Sequence, residues 1–378
     1  MNIAIFTHNY PRTSSDRVDA GNLIYDFAKI LSRKHKIFIL CPDFGGKKEN
    51  YKDIKVTWIK YGSTKKFGNY SYFNPFDLVK LARLFVVGCL EAERLVKKNK
   101  IDYILSAWAI PSGIFALYTK IKLGTRYGVW YLGSDLNIYA KMPVMNLIME
   151  FIARKADNLF ANSRWLCGLA TSLYKKPCTF TPTSTVINTK RIGNIKISKN
   201  KVNILFIARF ENVKGPDILL EAIKIVSKKC SNFVLRMIGV GTMDAQLKKY
   251  VKDNGIDKYV EFLGDPGWYE KFPYVKASDF LVVASRNESL PLVMLEVANF
   301  NLPVISSDVG DSRYVVNKYK IGEIAKNKNA HDMARVISNF IANKKYKVYK
   351  RLGKFSDFVN DYSLKNSAEL FLRTINND

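Results

Sequence analysis

The stretch NIAIFTH, residues 2–8, is followed by AGNLIYDFAKILSRKH (20–35) and KIFILCP (36–42). The first and third segments are short apolar runs, whereas the middle one repeats apolar residues at helical spacing. A strand, a helix and a second strand therefore follow one another within the first 42 residues. This order is typical of a parallel sheet whose strands are joined by crossover helices, so the sequence predicts an α/β fold.

The same alternation continues along the chain and is interrupted by one polar, lysine-rich stretch, NTKRIGNIKISKNK (188–201). We therefore predict two Rossmann-like, doubly wound parallel-sheet domains, residues 1–195 and 196–355, facing a central ligand cleft. Residues 356–378 are predicted to form a helix that packs back on the first domain. The other predicted strands are VTWIKYG (56–62), IDYILSAW (101–108), YGVWYLGSD (127–135), NLFANS (158–163), VNILFIAR (202–209), NFVLRMIG (232–239), VEFLG (260–264), DFLVVAS (279–285) and LPVISS (302–307).

Composition limits the class of protein. The 378 residues, 48% of them hydrophobic, are enough for two packed domains, and the formal net charge of +27 favours an anionic partner. Five scattered cysteines without a C-x-x-C pair and three distant histidines indicate neither a disulfide framework nor a metal site. We expect a cytoplasmic protein, because the sequence has no signal segment and no apolar run of about 18 residues.

Cations and glycines follow two of the predicted strands in the second domain. Arg209 ends one strand, and Lys214 stands next to Gly215 at the start of a helix, so both cations suit a diphosphate. Gly239 and Gly241 lie between the next strand and helix, where they would let the backbone approach a ligand. The alternatives are two solvated surface cations and an ordinary tight turn.

The stretch NESLPLVMLE (287–296) places two glutamates on either side of a helix start. Glu288 falls in the loop after a predicted buried strand, and Glu296 lies in the second turn of a helix that Pro291 can begin. Carboxylates accept hydrogen bonds from hydroxyls, so the two side chains could hold both ends of a nucleotide sugar. The alternative is a loop glutamate followed by an exposed helical glutamate.

In this order, these residues and the segment NLPVISSDVG (301–310) resemble the retaining glycosyltransferases of family 4, which have the GT-B fold. AWAIPSG (107–113) and GSD (133–135) agree with the resemblance in the first domain. It implies transfer of a sugar from a UDP- or GDP-linked donor to a glycan acceptor, without a metal or another cofactor. The implied catalytic residues are Arg209, Lys214, Glu288 and Asp135.

The resemblance also implies how the donor is bound. Arg209 and Lys214 would bind the diphosphate and offset the charge on the leaving group, Glu288 would face the transferred sugar, and Glu296 would bind the ribose hydroxyls. Two positions depart from the family, with Leu132 where a histidine is usual and Asn301 where a glycine is usual. The implied donor-binding residues are Gly21, Arg209, Lys214, Gly239, Gly241, Glu288, Leu292, Val293 and Glu296.

The charge excess and an aromatic segment (63–85) favour an anionic membrane surface as partner. We expect a polyprenyl-phosphate-linked or other lipid-linked glycan acceptor in bacterial or archaeal surface polysaccharide or glycolipid synthesis, with the enzyme peripheral to the inner face of the cell membrane. The alternative is a hydrophobic loop folded onto its own domain. The proposed surface residues are Lys65, Lys66, Phe67, Tyr70, Tyr72 and Phe73.

Two other functions are compatible with part of the pattern. A sugar-nucleotide epimerase of the same fold would bind the same donor. A nucleic-acid-binding protein would explain the charge, but the cations are scattered and no recognised binding motif is present, so we expect no nucleic-acid partner.

Overall fold

A computed structural model of the chain describes residues 1–13, 21–65, 69–71, 74–184, 187, 189, 192–198 and 200–377. The chain divides into two compact units, and each contains its own parallel sheet. The first unit, here the N-terminal domain, combines Met1–Thr185 with Ser363–Asp378. The second unit, the C-terminal domain, is Val186–Tyr362.

The N-terminal domain is built on a seven-stranded sheet with the order β3-β2-β1-β4-β5-β6-β7, and every strand pair in it is parallel. The central strands are buried on both faces, which explains their uninterrupted apolar sequences. The strands are β1 (Asn2–Phe6), β2 (Lys36–Pro42), β3 (Ile54–Ile59), β4 (Tyr103–Ala107), β5 (Arg126–Tyr131), β6 (Asn158–Ala161) and β7 (Cys178–Phe180).

Helices cover both faces of this sheet. The core under one face receives residues from α2, α3, α5 and α6, and the core under the other receives residues from α1 and α15. In α15 the ring of Phe371 contacts those of Phe27, Tyr103 and Phe160, so the end of the chain is part of this domain. The helices are α1 (Gly21–Leu31), α2 (Pro75–Asn99), α3 (Ser112–Leu123), α4 (Ser134–Asn137), α5 (Pro143–Lys155), α6 (Arg164–Tyr174) and α15 (Leu364–Asn376).

The C-terminal domain has a six-stranded parallel sheet with the order β10-β9-β8-β11-β12-β13. Helices α7, α8, α12 and α13 contribute to its main core, while α10 and α11 pack against α14. The strands are β8 (Val202–Ile207), β9 (Phe233–Ile238), β10 (Val260–Gly264), β11 (Phe280–Val283), β12 (Val304–Ser307) and β13 (Gly322–Ala325). The helices are α7 (Pro216–Ser227), α8 (Asp244–Asp253), α9 (Phe272–Ala277), α10 (Leu292–Ala298), α11 (Ser312–Tyr319), α12 (Ala330–Ala342), α13 (Lys345–Leu352) and α14 (Phe355–Asp361).

The predicted pair of parallel α/β domains is confirmed. Two edge strands, β7 and β13, were not predicted, because their sequences, CTF and GEIA, are short and contain no continuous apolar run. Within the described part of the chain, no helix is long and apolar enough to cross a membrane.

Candidate functional site

Three loops of the C-terminal domain converge at the carboxyl edge of its sheet, after the adjacent strands β9, β8 and β11. Gly215 has a φ of 64° and lies against β11, where a Cβ atom would come within 2.1 Å of the Ala284 carbonyl oxygen. A Cβ on Gly239 would lie 1.9 Å from the Ala208 oxygen, and one on Gly241 would lie 2.5 Å from the Phe210 oxygen. These glycines are required because the loop backbones touch one another.

Glu288 and Lys214 come from two of these loops and meet as an ion pair. The Lys214 ammonium donates to Glu288 Oε1, and the Ser285 hydroxyl donates to the same oxygen over 3.1 Å. Both charged side chains are partly buried, with 24% and 17% of their surface exposed. The structure therefore brings together a cation and a carboxylate that lie 74 residues apart in the sequence.

Arg286 fixes the position of the loop that carries Lys214, and sequence reasoning missed it. Its guanidinium donates to both carboxylate oxygens of Asp217, over 2.8 and 2.5 Å, and over 2.6 Å to the Asn212 carbonyl oxygen. Burial opposes ionisation of Asp217, but the hydrogen bonds and charge of Arg286 outweigh it and lower the pKa of that carboxyl. The only local signal was an arginine two residues before Glu288.

Glu296 is the more deeply buried of the two glutamates. Its Oε2 accepts a hydrogen bond of 2.7 Å from Lys271, and 11% of each side chain is exposed. The Lys271 ammonium also lies 4.0 Å from the centre of the Trp268 ring, where a cation–π contact stabilises it. Lys271 and Trp268 follow β10, the neighbour of β9, and their sequence GWYEKF gave no recognisable motif.

The start of α10 lies between the two glutamates. Leu292 and Val293 occupy its first turn, half-buried, and by position the first amides of a helix lack a carbonyl partner within that helix. Gly310 packs beneath this loop, because a Cβ there would lie 2.1 Å from the Ser289 oxygen. Asn301 keeps the left-handed backbone, with a φ of 53°, which asparagine tolerates better than most residues.

Arg209 lies exposed at the end of β8, on the same edge as Lys214. Glu211 is turned towards the loop after β9, where its carboxylate accepts hydrogen bonds from the Thr242 hydroxyl (2.7 Å) and the Thr242 amide (3.2 Å). These bonds hold the pKa of the Glu211 carboxyl below its usual range. The Glu211 carboxylate is therefore engaged by Thr242, and the guanidinium of Arg209 is exposed to solvent.

In the N-terminal domain, Asp135 is fully buried and holds two loops together. Its Oδ1 accepts from the Ala109 amide over 2.9 Å, and its Oδ2 accepts from the Leu132 amide over 3.2 Å. Burial raises the pKa of Asp135 to about 6, although these amides favour the ionised form. Contact between Asp135 and a ligand stays a prediction, because both carboxylate oxygens are engaged by the backbone.

Gly21, His8 and Trp108 lie at the carboxyl edge of the first sheet. A Cβ on Gly21 would come within 2.9 Å of the Tyr10 backbone, so this helix start is pressed against the loop after β1. Trp108 has a φ of 67°, which bulky residues rarely adopt, and its ring lies 4.3 Å from that of His8. Burial lowers the pKa of His8 to about 4, so the imidazole is neutral at pH 7. Sequence reasoning assigned no role to His8.

Two of the six residues proposed for a membrane surface are among the described residues. Tyr70 is buried, and its hydroxyl lies 2.9 Å from that of Tyr61. Lys65 donates to Asp77 over 2.6 Å and lies 5.2 Å from the centre of the Tyr70 ring. Tyr70 is therefore packed inside the domain, as the alternative of a loop folded onto its own domain supposed, whereas Lys65 is partly exposed beside Asp77. Lys66, Phe67, Tyr72 and Phe73 lie outside the described residues.

The described residues contain no group of three His, Cys, Asp or Glu side chains that could hold a metal ion. The carboxyl edge of the second sheet instead combines Lys214, Lys271 and Arg209 with two carboxylates. This arrangement can bind a ligand that has phosphates at one end and hydroxyls at the other.

Solved structures have the same fold. The Anabaena protein HepE, in complex with UDP, superposes with a TM-score of 0.74 and 14% identity, covering all of both chains. The two parallel-sheet domains have the GT-B fold of glycosyltransferases, so the predicted fold is confirmed.

Sequence comparison narrows the class within that fold. Residues 188–356 match the family described as glycosyl transferases group 1. An uncharacterised glycosyltransferase of Methanocaldococcus jannaschii is 25% identical over 305 residues, 80% of this chain and 79% of that protein. The capsular polysaccharide biosynthesis glycosyltransferase CapH of Staphylococcus aureus is 25% identical over 85% of this chain and 86% of its own length. The chain therefore has glycosyltransferase homologues across both domains, and the match to the group 1 family lies within its second domain.

Proposed function

We propose that this chain is a retaining, metal-independent glycosyltransferase of family 4 that uses a UDP- or GDP-linked sugar. The observation that carries the proposal is the pair of lysine-bound glutamates at one sheet edge, Glu288 with Lys214 and Glu296 with Lys271. Cations and carboxylates placed together on fixed loops suit a donor with a charged diphosphate between two hydroxyl-rich ends.

Arg209 and Lys214 supply the charge that the reaction needs. Both follow β8, so a diphosphate bound there would meet a forked guanidinium and a point charge. As the bond between the anomeric carbon and the diphosphate oxygen breaks, negative charge grows on the leaving group, and fixed cations stabilise it. The acceptor oxygen forms the new bond on the same face of the sugar, and its proton passes to the departing diphosphate.

The two glutamates would bind the donor's hydroxyls. Glu288, paired with Lys214, would face the sugar, and Glu296, in the second turn of α10, would bind the ribose. Each carboxylate is paired with a lysine, whose flexible four-carbon stem lets the ammonium turn to another partner. Donor binding would thus place sugar and ribose hydroxyls on the glutamate oxygens and leave the lysine ammonium groups to contact the phosphates.

The similar proteins support both the choice of donor and a role in polysaccharide synthesis. HepE binds UDP, which favours a uridine donor, and the name of CapH places it in capsular polysaccharide biosynthesis. We propose a lipid-linked glycan acceptor in the synthesis of a surface polysaccharide, with the enzyme at the inner face of the cell membrane. The formal net charge of +27 supports an anionic surface as partner.

A thermal-shift panel with UDP, GDP, ADP and their sugars, all in EDTA, tests the donor site. A ligand at about 100 times its dissociation constant stabilises a fold by about 2.7 kcal/mol. The control is Glu323→Ala, which removes another lysine-paired glutamate of the same domain. We expect one nucleotide series to raise the melting temperature of both the wild type and this control. We expect Glu296→Ala to lose that shift. If no nucleotide raises the melting temperature of the wild type, the proposed donor is wrong. If a nucleotide raises it only after metal is added, the proposed metal independence is wrong.

A further inference from the structure

Helix α5 of the N-terminal domain exposes a continuous apolar face. Val144, Leu147, Ile148 and Phe151 recur at the spacing of one helical face, and 70%, 68%, 37% and 49% of their respective surfaces are exposed. The opposite face of α5, which includes Met149 and Ile152, is buried in the core. A surface helix normally carries polar residues on its outer face, so α5 is apolar where water should meet it.

Cations lie at both ends of this apolar face. Lys141 precedes α5, and Arg154 and Lys155 end it, all three exposed. The one acidic residue of the helix, Glu150, accepts hydrogen bonds of 2.9 and 2.6 Å from Arg154. Long basic side chains can place their charge at an interface while their methylenes cover apolar surface. The face therefore combines exposed aliphatic and aromatic side chains with a net positive border.

A second apolar stripe lies on α2, which covers the same side of the sheet as α5. Phe76, Val79, Val86 and Leu90 are exposed at helical spacing, and the exposed Lys80 lies among them. Two helices of one layer thus expose apolar residues away from their common core.

We propose that the exposed face of α5, with the stripe on α2, docks this enzyme onto an anionic lipid bilayer. The proposal deepens the function given above, on which it rests for the lipid-linked acceptor. An amphipathic helix lying in the plane of a membrane buries its apolar face at the boundary between headgroups and acyl chains. Basic residues at its border are attracted to anionic headgroups. The α2 part of this surface overlaps the segment (63–85) that the sequence indicated, whereas α5 lies outside that segment.

Charge favours a membrane over a second copy of the chain. A symmetric dimer through α5 would place each basic border against the same border of its partner, because a twofold interface is self-complementary. Lys141 and Lys155 would then face like charges, whereas an anionic bilayer offers opposite ones. The formal net charge of +27 acts in the same direction.

Co-sedimentation with vesicles tests the surface. Full-length Leu147→Glu/Phe151→Glu is compared with the wild type on phosphatidylglycerol-containing and pure phosphatidylcholine vesicles. Val348→Glu/Leu352→Glu is the matched control, because it places the same charges on two exposed apolar residues, four positions apart, in α13. We expect the wild type and the control to bind anionic vesicles, and the α5 variant to bind about tenfold more weakly. Lys141→Glu/Lys155→Glu should weaken binding to anionic vesicles and leave the weak binding to neutral vesicles unchanged.

Gel filtration and UDP thermal shifts of the same proteins separate the outcomes. We expect all variants to keep the nucleotide shift, because α5 lies in the other domain. Equal vesicle binding by the wild type and the α5 variant overturns the proposal. So does a wild-type dimer that the α5 substitutions dissociate without any vesicle binding. If vesicle binding depends on α5 but no nucleotide shifts the wild type, the docking surface stands and the proposed function fails.

Discussion

The two domains hold carboxylates at the carboxyl edges of their sheets, but they hold them in different ways. In the N-terminal domain, both oxygens of Asp135 accept hydrogen bonds from backbone amides. In the C-terminal domain, Glu288 and Glu296 are bound by the side chains of Lys214 and Lys271. Amides cannot leave without moving the loops that carry them, whereas a lysine can rotate to another partner.

This difference separates structural carboxylates from ones that can bind a ligand. A carboxylate fixed by amides stabilises the loops around it, and its removal should affect folding first. A carboxylate balanced by lysine can change partners when phosphates or hydroxyls arrive. Both kinds lie after parallel strands, so their position in the sequence alone does not distinguish them.

The largest effect is expected for Lys214→Ala. Removing a preorganised charge that stabilises a transition state typically lowers turnover by about 10²–10³-fold. The ion pair with Glu288 is partly exposed, so the free energy of unfolding should change by no more than about 1 kcal/mol. Transfer kinetics in EDTA and urea unfolding measure the two quantities on the same protein.

Lys345→Ala is the control for that experiment, because Lys345 forms an ion pair of 2.6 Å with Glu323 in the same domain. It should leave transfer unchanged. Loss of stability without loss of turnover in Lys214→Ala would place this lysine among the structural residues and remove it from the reaction.

The second effect is expected for Lys271→Met, which leaves Glu296 buried without its cation. Breaking a buried pair in this way costs about 3 kcal/mol, whereas replacing both partners by apolar residues is often nearly neutral. The double variant Lys271→Met/Glu296→Leu should therefore recover most of the lost stability in urea unfolding. If the single variant loses less than about 1 kcal/mol, Glu296 is solvated and the pair is not a buried one.

Local patterns were enough to predict the architecture. The alternation of apolar runs and helical segments specifies parallel strands, and this placed Arg209, Lys214 and Glu288 at one edge of the second sheet. The partner of Glu296 was not predictable, because Lys271 lies 25 residues away in a segment without a motif. The opposite error occurred at Tyr70. Its position beside lysines suggested an exposed surface residue, but its side chain is buried.

The smallest effect, on the pH dependence of stability, distinguishes by its sign a carboxylate held by amides from one held by a charged side chain. The folded-state pKa of Asp135 is raised from its ordinary 3.8 to about 6, so the folded protein keeps a proton there that the unfolded chain has lost. Stability relative to Asp135→Asn should therefore be highest near pH 4 and fall by on the order of 2 kcal/mol as the pH rises through about 6.

Asp217, which Arg286 binds at the edge of the second sheet, should behave in the opposite way. Its pKa is lowered, because Arg286 outweighs burial, so the ionised side chain stabilises the folded state above the ordinary pKa of 3.8. Stability relative to Asp217→Asn should fall as the pH drops below about 4, because the unfolded chain binds a proton at Asp217 more readily than the folded protein does. Urea unfolding of the three proteins between pH 3 and 7 gives both slopes. If the two slopes had the same sign, the hydrogen bonds from the amides would outweigh burial at Asp135, and the expected contrast between the two carboxylates would be wrong.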